Sequence, residues 1–122
     1  MKYIRIYADR NGNSHFEDVE IQLTQTNFAP PAPPINLSSF SPALRYAFGS
    51  FPVGWRGDWH PTPTRQIFFI LSGEAAVQVS NGEERHLQAG SIVLAEDAAG
   101  MGHISWVTGK TDMQTAVVQL PS

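Results

Sequence analysis

The chain has 122 residues, a formal net charge of −3, 42% hydrophobic and 11% aromatic residues, and no cysteine. This length predicts one domain, residues 1–122, with enough buried surface for a core and a small cavity. Scattered basic residues argue against a nucleic-acid or anionic-lipid surface, and the lack of cysteine excludes thiolate chemistry. The longest apolar run, residues 67–71, is too short for a membrane helix. With no apolar signal core at the N-terminus, we expect a cytoplasmic protein.

Alternation of apolar and polar residues with a period of two runs through most of the chain and predicts an all-β fold. Asn11-Gly12 and Asn81-Gly82 are typical of tight hairpin turns. No segment has the period of a helix. Short strands separated by turn signals indicate a sandwich or barrel. About nine strands are predicted, in chain order, at residues 3–7, 19–23, 44–48, 65–71, 75–79, 84–87, 91–95, 103–107 and 113–120.

A proline-rich segment, residues 28–34, interrupts this pattern. Its four prolines favour extended backbone and exclude a central strand. We expect it to lie across the outside or the mouth of the barrel, with recognition of a partner as a minor alternative. The chain thus divides into N-terminal strands with the proline-rich segment, residues 1–43, and a barrel core, residues 44–120.

Two glycine-framed blocks carry the candidate chemistry. The first has the spacing G-x5-H-x-T-x3-Q-x6-G, and its residues are Gly54, His60, Thr62, Gln66 and Gly73. It resembles the first signature of the cupin superfamily, with Thr62 at the second histidine position and Gln66 at the glutamate position. The second signature is matched more loosely, from Gly90 to His103. The resemblance implies a cupin-type double-stranded β-helix, or jelly-roll barrel.

A closer likeness is to small bacterial cupins in which the histidine is followed by proline, as in His60-Pro61. Their second block reads acidic-Asp-x-x-Gly-x-Gly-His, which matches residues 96–103 here. No general activity follows from this likeness.

The spacing also has a geometric meaning. On a pleated strand, residues of one parity project to one face. His60, Thr62, Gln66 and Phe68 share a parity and are therefore predicted to point into the barrel. We expect His103, which opens a later strand, to face them across the cavity.

One hypothesis is a metal site. Cupins commonly hold a transition metal with three histidines and a carboxylate, and imidazole suits Zn, Cu, Fe and Ni. The expected ion is Zn, Fe, Ni, Mn or Cu. Here His60, His103 and the amide of Gln66 are the matching candidates for one divalent ion. His15 is a third imidazole only if the N-terminal strand covers the mouth.

The second hypothesis needs no metal. His60 and His103 would act as acid and base, while Thr62, Gln66, Phe68 and Tyr46 would bind the substrate. Such a site suits lyase, isomerase or cyclase chemistry on a small polar organic molecule. The alternative is a cupin that binds a small metabolite without chemistry.

The remaining candidates have structural interpretations. Trp55, Trp59 and Trp106 are expected to pack, His86 to be exposed, and Glu96 and Asp97 to cap a turn or to supply an acid. Apolar residues near the termini and the edges expected of a sheet favour a homodimer.

Overall fold

The computed structural model describes residues 1–122 and contains eleven strands and no helix. Eight of the nine predicted segments coincide with strands, so the all-β prediction is confirmed. The exception is residues 19–23, where one strand ends and the next has not begun. No helix capable of crossing a membrane is present. The strands are β1 Lys2–Ala8, β2 Ser14–Glu20, β3 Thr24–Thr26, β4 Ile35–Leu37, β5 Arg45–Phe51, β6 Gln66–Ser72, β7 Glu74–Val79, β8 Glu84–Gln88, β9 Ile92–Ala95, β10 His103–Thr108 and β11 Met113–Gln119.

Two sheets enclose the core. The larger has the order β2-β1-β9-β6-β11-β5, and the smaller has the order β10-β7-β8. Only the β1–β9 pairing is parallel. Buried side chains from both sheets meet between them, among them Ile6, Ile70, Val77, Val93 and Met113. This is the predicted double-sheet barrel.

Strand β6 shows how alternation positions the site. Gln66 and Ile70 are buried on its inner face, while Leu71 on the outer face is 55% exposed. A continuous apolar run such as residues 67–71 is typical of a strand covered on both faces. Here nothing in the chain covers the outer face at Leu71.

The segment between β2 and β5 also departs from expectation. Strands β3 and β4 pair only with each other and form a separate hairpin. The prolines lie at the exposed turn of that hairpin, because residues 27–36 are all exposed. The prolines therefore lie on the outside of the molecule, at a hairpin turn that the barrel does not cover. We call residues 21–44 the arm.

Candidate functional site

A cavity of about 220 Å³ lies between the two sheets. Its polar lining residues are His60, Thr62, Gln66, His103 and Ser105. The rest of the wall is mainly apolar and comes from both sheets, with Phe51, Trp55, Phe68, Val77 and Met113 among its members. The cavity thus has an apolar body and a small polar region.

The two histidines meet because residues 55–60 run antiparallel to β10. His60 and His103 exchange two backbone hydrogen bonds, of 3.1 and 3.0 Å. Their ring centroids are 5.0 Å apart, with an interplanar angle of 55°. Two imidazoles separated by 43 positions in the chain thus adjoin the same cavity, but they lie side by side on paired segments instead of facing each other across it.

This close approach depends on Gly102. Its φ is +73°, and a Cβ there would lie 2.0 Å from the carbonyl oxygen of His60. Only glycine adopts such a backbone freely and leaves room for the neighbouring chain. On the other side, the buried Ser14 Oγ donates to the carbonyl of Gly102 at 2.6 Å. The loop before β10 is thereby held between β2 and residues 60–61.

Hydrogen bonds select the free nitrogen of each ring. Nδ1 of His60 lies 2.7 Å from the carbonyl oxygen of Asp58, and Nδ1 of His103 lies 2.6 Å from Oδ2 of Asp97. A carbonyl oxygen and a carboxylate oxygen only accept, so Nδ1 carries the proton in both rings. Nε2 is therefore the nitrogen that each histidine keeps for a ligand.

Asp97, expected from the sequence only as a turn cap or an acid, supports His103 in the structure. It is fully buried, and its second carboxylate oxygen Oδ1 has no partner. A buried carboxylate bonded to a histidine fixes the ring orientation and stabilises the imidazolium that forms when Nε2 takes a proton. The sequence offers one hint of this pairing, which is that Asp97 lies six positions before His103 across a glycine-rich loop.

Thr62 and Gln66 line the cavity, but their polar atoms are partly engaged. The Gln66 amide donates to Thr62 Oγ1 at 3.1 Å and accepts from Gln119 at 3.2 Å. Thr62 Oγ1 in turn donates to the carbonyl of Thr64 at 2.8 Å. Gln66 therefore connects β6 to β11 and holds the turn before β6.

Tyr46 does not belong to the cavity, which corrects the prediction that it binds substrate. It is 73% exposed and stacks edge-on against Phe48. Across the ladder it pairs with Val118, which pairs with Ile67 on the outer face of β6. Even-numbered residues face outward on β5 and inward on β6, because parity is set separately in each strand.

The donor set fits a resident metal poorly. Catalytic zinc usually takes three protein ligands, and no group of three or more His, Cys, Asp or Glu side chains is placed to hold an ion. The Gln66 amide oxygen already accepts a hydrogen bond, and Asp97 stands behind His103. Only the two Nε2 atoms of His60 and His103 remain as possible metal ligands, fewer than the usual three.

The other ionisable candidates lie elsewhere. His15 pairs with Asp9 at 2.7 Å, and this hydrogen bond lowers the pKa of Asp9. His86 is exposed, as predicted, and contacts Glu74. Glu96 lies between Arg5 and Arg65. Burial raises the pKa of Glu96, but the hydrogen bonds from Arg65 and Arg5 outweigh it, and the net pKa is lowered.

Residues 47–118, more than half of the chain, match the family model described as the cupin domain. The chain belongs to the cupin superfamily. No curated protein matches its sequence.

Two solved structures share the cupin fold with it. A Cupin 2 conserved barrel domain protein from Salinispora arenicola CNS-205 has 19% identity and a TM-score of 0.51, covering 63% of this chain and 62% of its own. The cupin domain of Cnp3 from Schizosaccharomyces pombe has 14% identity and a TM-score of 0.52, covering 99% of this chain and 84% of its own. The match thus spans less than two thirds of the Salinispora protein. At these identities the likeness shows the fold alone.

Proposed function

We propose that this cupin is a metal-independent enzyme that transfers a proton within a small carbonyl compound, as an isomerase or lyase does. The observation that carries the proposal is the histidine pair at the cavity. Both rings have Nδ1 fixed by an acceptor, and the carboxylate of Asp97 supports His103. Paired imidazoles supply both a base and an acid near neutral pH.

In the proposed step, Nε2 of neutral His103 removes a proton from the carbon beside the substrate carbonyl. The C–H electron pair becomes the C=C bond of an enolate, and the negative charge moves to the carbonyl oxygen. His60, protonated on Nε2, donates its proton to that oxygen. In an isomerase the proton on His103 then returns to a different carbon, and His60 takes back the proton from the oxygen as the carbonyl re-forms. Asp97 stabilises the positive charge on His103 throughout.

The cavity wall favours a substrate with an apolar body and one polar head. Its lining is mainly apolar, with the polar groups gathered around the histidines. Pockets of this kind use apolar walls for affinity and few polar groups for orientation. This refines the small polar molecule expected from the sequence. Phe68 would contact the body, and Gln66 would orient the head through its remaining amide hydrogen.

The test uses phenylpyruvate as the probe, in D2O, with proton NMR following deuterium exchange at the carbon beside its ketone. The wild-type protein should accelerate exchange, and His103→Gln or His60→Gln should lower the rate by about 10²–10⁴-fold. His86→Gln is the matched control, since His86 is exposed and remote from the cavity. Equal rates in all four proteins would contradict the proposal. Binding of the probe without accelerated exchange would favour the non-catalytic binder.

The same assay tests the metal hypothesis. Protein purified without an affinity tag is treated with chelator and then supplied with Zn, Ni, Mn or Fe. We expect the exchange rate to be unchanged. A rate that appears only with one ion, together with stoichiometric metal by elemental analysis, would contradict the metal-independent mechanism.

The role of Asp97 is tested separately, because it is a positioning residue. In Asp97→Asn the charge-assisted hydrogen bond to His103 is lost. We expect the low-field Nδ1–H proton resonance of His103 to disappear and the exchange rate to fall. The Nδ1–H resonance of His60 should persist. Loss of both resonances would indicate general unfolding instead.

A further inference from the structure

The arm is tied to the barrel by backbone hydrogen bonds at its two ends, from Ile21 to Met1 and from Leu44 to Gln119, and Phe28 contacts Phe40 within it. Strands β3 and β4 pair only with each other. A two-stranded hairpin alone is marginally stable in water and needs a third strand or a packing partner. The arm nevertheless exposes five large apolar side chains, which are Leu23 at 43%, Phe28 at 56%, Ile35 at 45%, Phe40 at 78% and Leu44 at 68%.

A second apolar surface lies on the outer face of the large sheet. We call it the apolar face, and it consists of Tyr46, Phe48, Ile67, Phe69, Leu71 and Val118. The strand register makes it continuous, because Tyr46 lies opposite Val118 and Val118 lies opposite Ile67. Tyr46, Phe48 and Leu71 are 73%, 74% and 55% exposed. Strand β5 is also the edge of this sheet, so its outer backbone groups have no ladder partner.

The arm has no charged residue, and β5 has one. Arg45 is the only charged residue between positions 21 and 55, in a chain where 16% of residues are charged. Proteins usually protect an exposed edge strand with charged side chains or proline. The arm and the apolar face are therefore complementary in chemistry, since both are apolar and nearly uncharged.

The exposed area is sufficient for a stable interface. At about 200 Å² for each aromatic side chain, the four exposed aromatic residues of the two surfaces present on the order of 550 Å². Leu23, Ile35, Leu44 and Leu71, each at least 43% exposed, add to this. The total approaches the roughly 800 Å² per partner of a standard interface.

We propose that two copies of this chain form a symmetric dimer in which the arm of each copy packs on the apolar face of the other. One chain carries both complementary surfaces, so a two-fold dimer covers both arms and both faces at once. A foreign partner would have to cover two separate surfaces. The arm is then a dimerisation element, and its hairpin is stabilised only in the assembly.

The test measures mass by size-exclusion chromatography with light scattering. The wild-type chain should have twice the chain mass of 13.4 kDa. An arm variant, Phe28→Ser with Phe40→Ser, and a face variant, Tyr46→Glu with Phe48→Glu, should each be monomeric. All four positions are exposed, so circular dichroism should show that both variants keep the fold. Trp59→Ser, at an exposed position outside both surfaces, is the matched control and should remain dimeric.

Mixing the two variants separates arm exchange from other dimers. In a mixed pair, the intact arm of the face variant meets the intact apolar face of the arm variant. One of the two contacts is restored, so we expect a dimer in the mixture and none in either variant alone. A monomeric wild-type chain, an arm variant that still dimerises, or a mixture that stays monomeric would each overturn the proposal.

Discussion

At the scale of single residues, the site depends on how closely two backbone segments approach. The carbonyl of His60 occupies the space that a side chain at position 102 would need. The His60–His103 pair is therefore set by a glycine that does not itself line the cavity. Gly102, directly before His103, therefore has a structural role even where the rest of the second block departs from the family pattern.

Gly102→Ala should accordingly destabilise the protein and separate the histidines. A left-handed backbone alone costs about 1–2 kcal/mol for a residue with a Cβ, and the overlap with His60 adds to this. We expect a loss of more than about 2 kcal/mol in the free energy of unfolding. The measurement is denaturant unfolding, together with histidine NMR resonances.

Gly90→Ala is the matched control for that substitution. Its φ is +93°, but no atom lies within 4 Å of a Cβ built there. It should show the backbone cost alone, about 1–2 kcal/mol. Equal losses in the two variants would mean that the overlap at position 102 relaxes easily and that Gly102 does not hold the pair.

The sequence predicted part of the site at this scale. Regular spacing placed His60, Thr62, Gln66 and Phe68 on one face, and the structure has all four at the cavity. Tyr46 was misplaced because parity within one strand carries no information about the register of another. The pairing of Asp97 with His103 was not predicted, because the burial of Asp97 and its bond to His103 depend on a loop whose path the sequence pattern does not specify.

At the scale of elements, alternation predicted the barrel strands well because each has one face on a shared core. It failed for the arm, where no core exists within the chain. Strands β3 and β4 have only three residues each, and both are largely exposed. Alternation of apolar and polar residues reflects burial against the core of the same chain. On our proposal the arm is buried by a second copy, so its sequence does not show this alternation.

Glu96 joins three elements and gives the fold a pH dependence. It follows β9 and accepts from Arg5 on β1 and from Arg65 just before β6. Its pKa in the folded state is lowered below the unfolded value of about 4.3. The charged form is therefore favoured by folding. This stability is present above the unfolded pKa and is lost as pH falls through the folded pKa.

Glu96→Gln should thus destabilise the protein at pH 7 by about 1 kcal/mol, a value reduced for the partial exposure of both arginines. The difference from wild type should shrink as the pH falls below about 4. Thermal unfolding across this range measures it. Glu84→Gln, at an exposed position, is the control and should show little difference at any pH. A difference for Glu96→Gln that is constant with pH would contradict the linkage.

At the scale of the whole molecule, the barrel leaves space in its interior that a tightly packed core would fill. Protein interiors are normally close-packed, yet a cavity of about 220 Å³ adjoins the histidine pair. Ala75 lines that cavity and is 1% exposed, while its neighbour Ala76 is buried on the opposite face of β7. A larger residue at position 75 would pack better without disturbing the outer face. If the space exists for a ligand, stability and function should be in conflict at this position.

Ala75→Val tests that conflict. The two added methyl groups enter the cavity, so we expect the free energy of unfolding to rise by about 0.5–1 kcal/mol. The same methyl groups occupy ligand space, so exchange of phenylpyruvate should fall. Ala76→Val makes the identical change where no cavity is present, and it should leave exchange unchanged while lowering stability or leaving it equal. A more stable Ala75→Val protein with undiminished exchange would place the chemistry outside this cavity. A substrate that reacts inside the cavity should bind less well once the added methyl groups reduce the cavity volume.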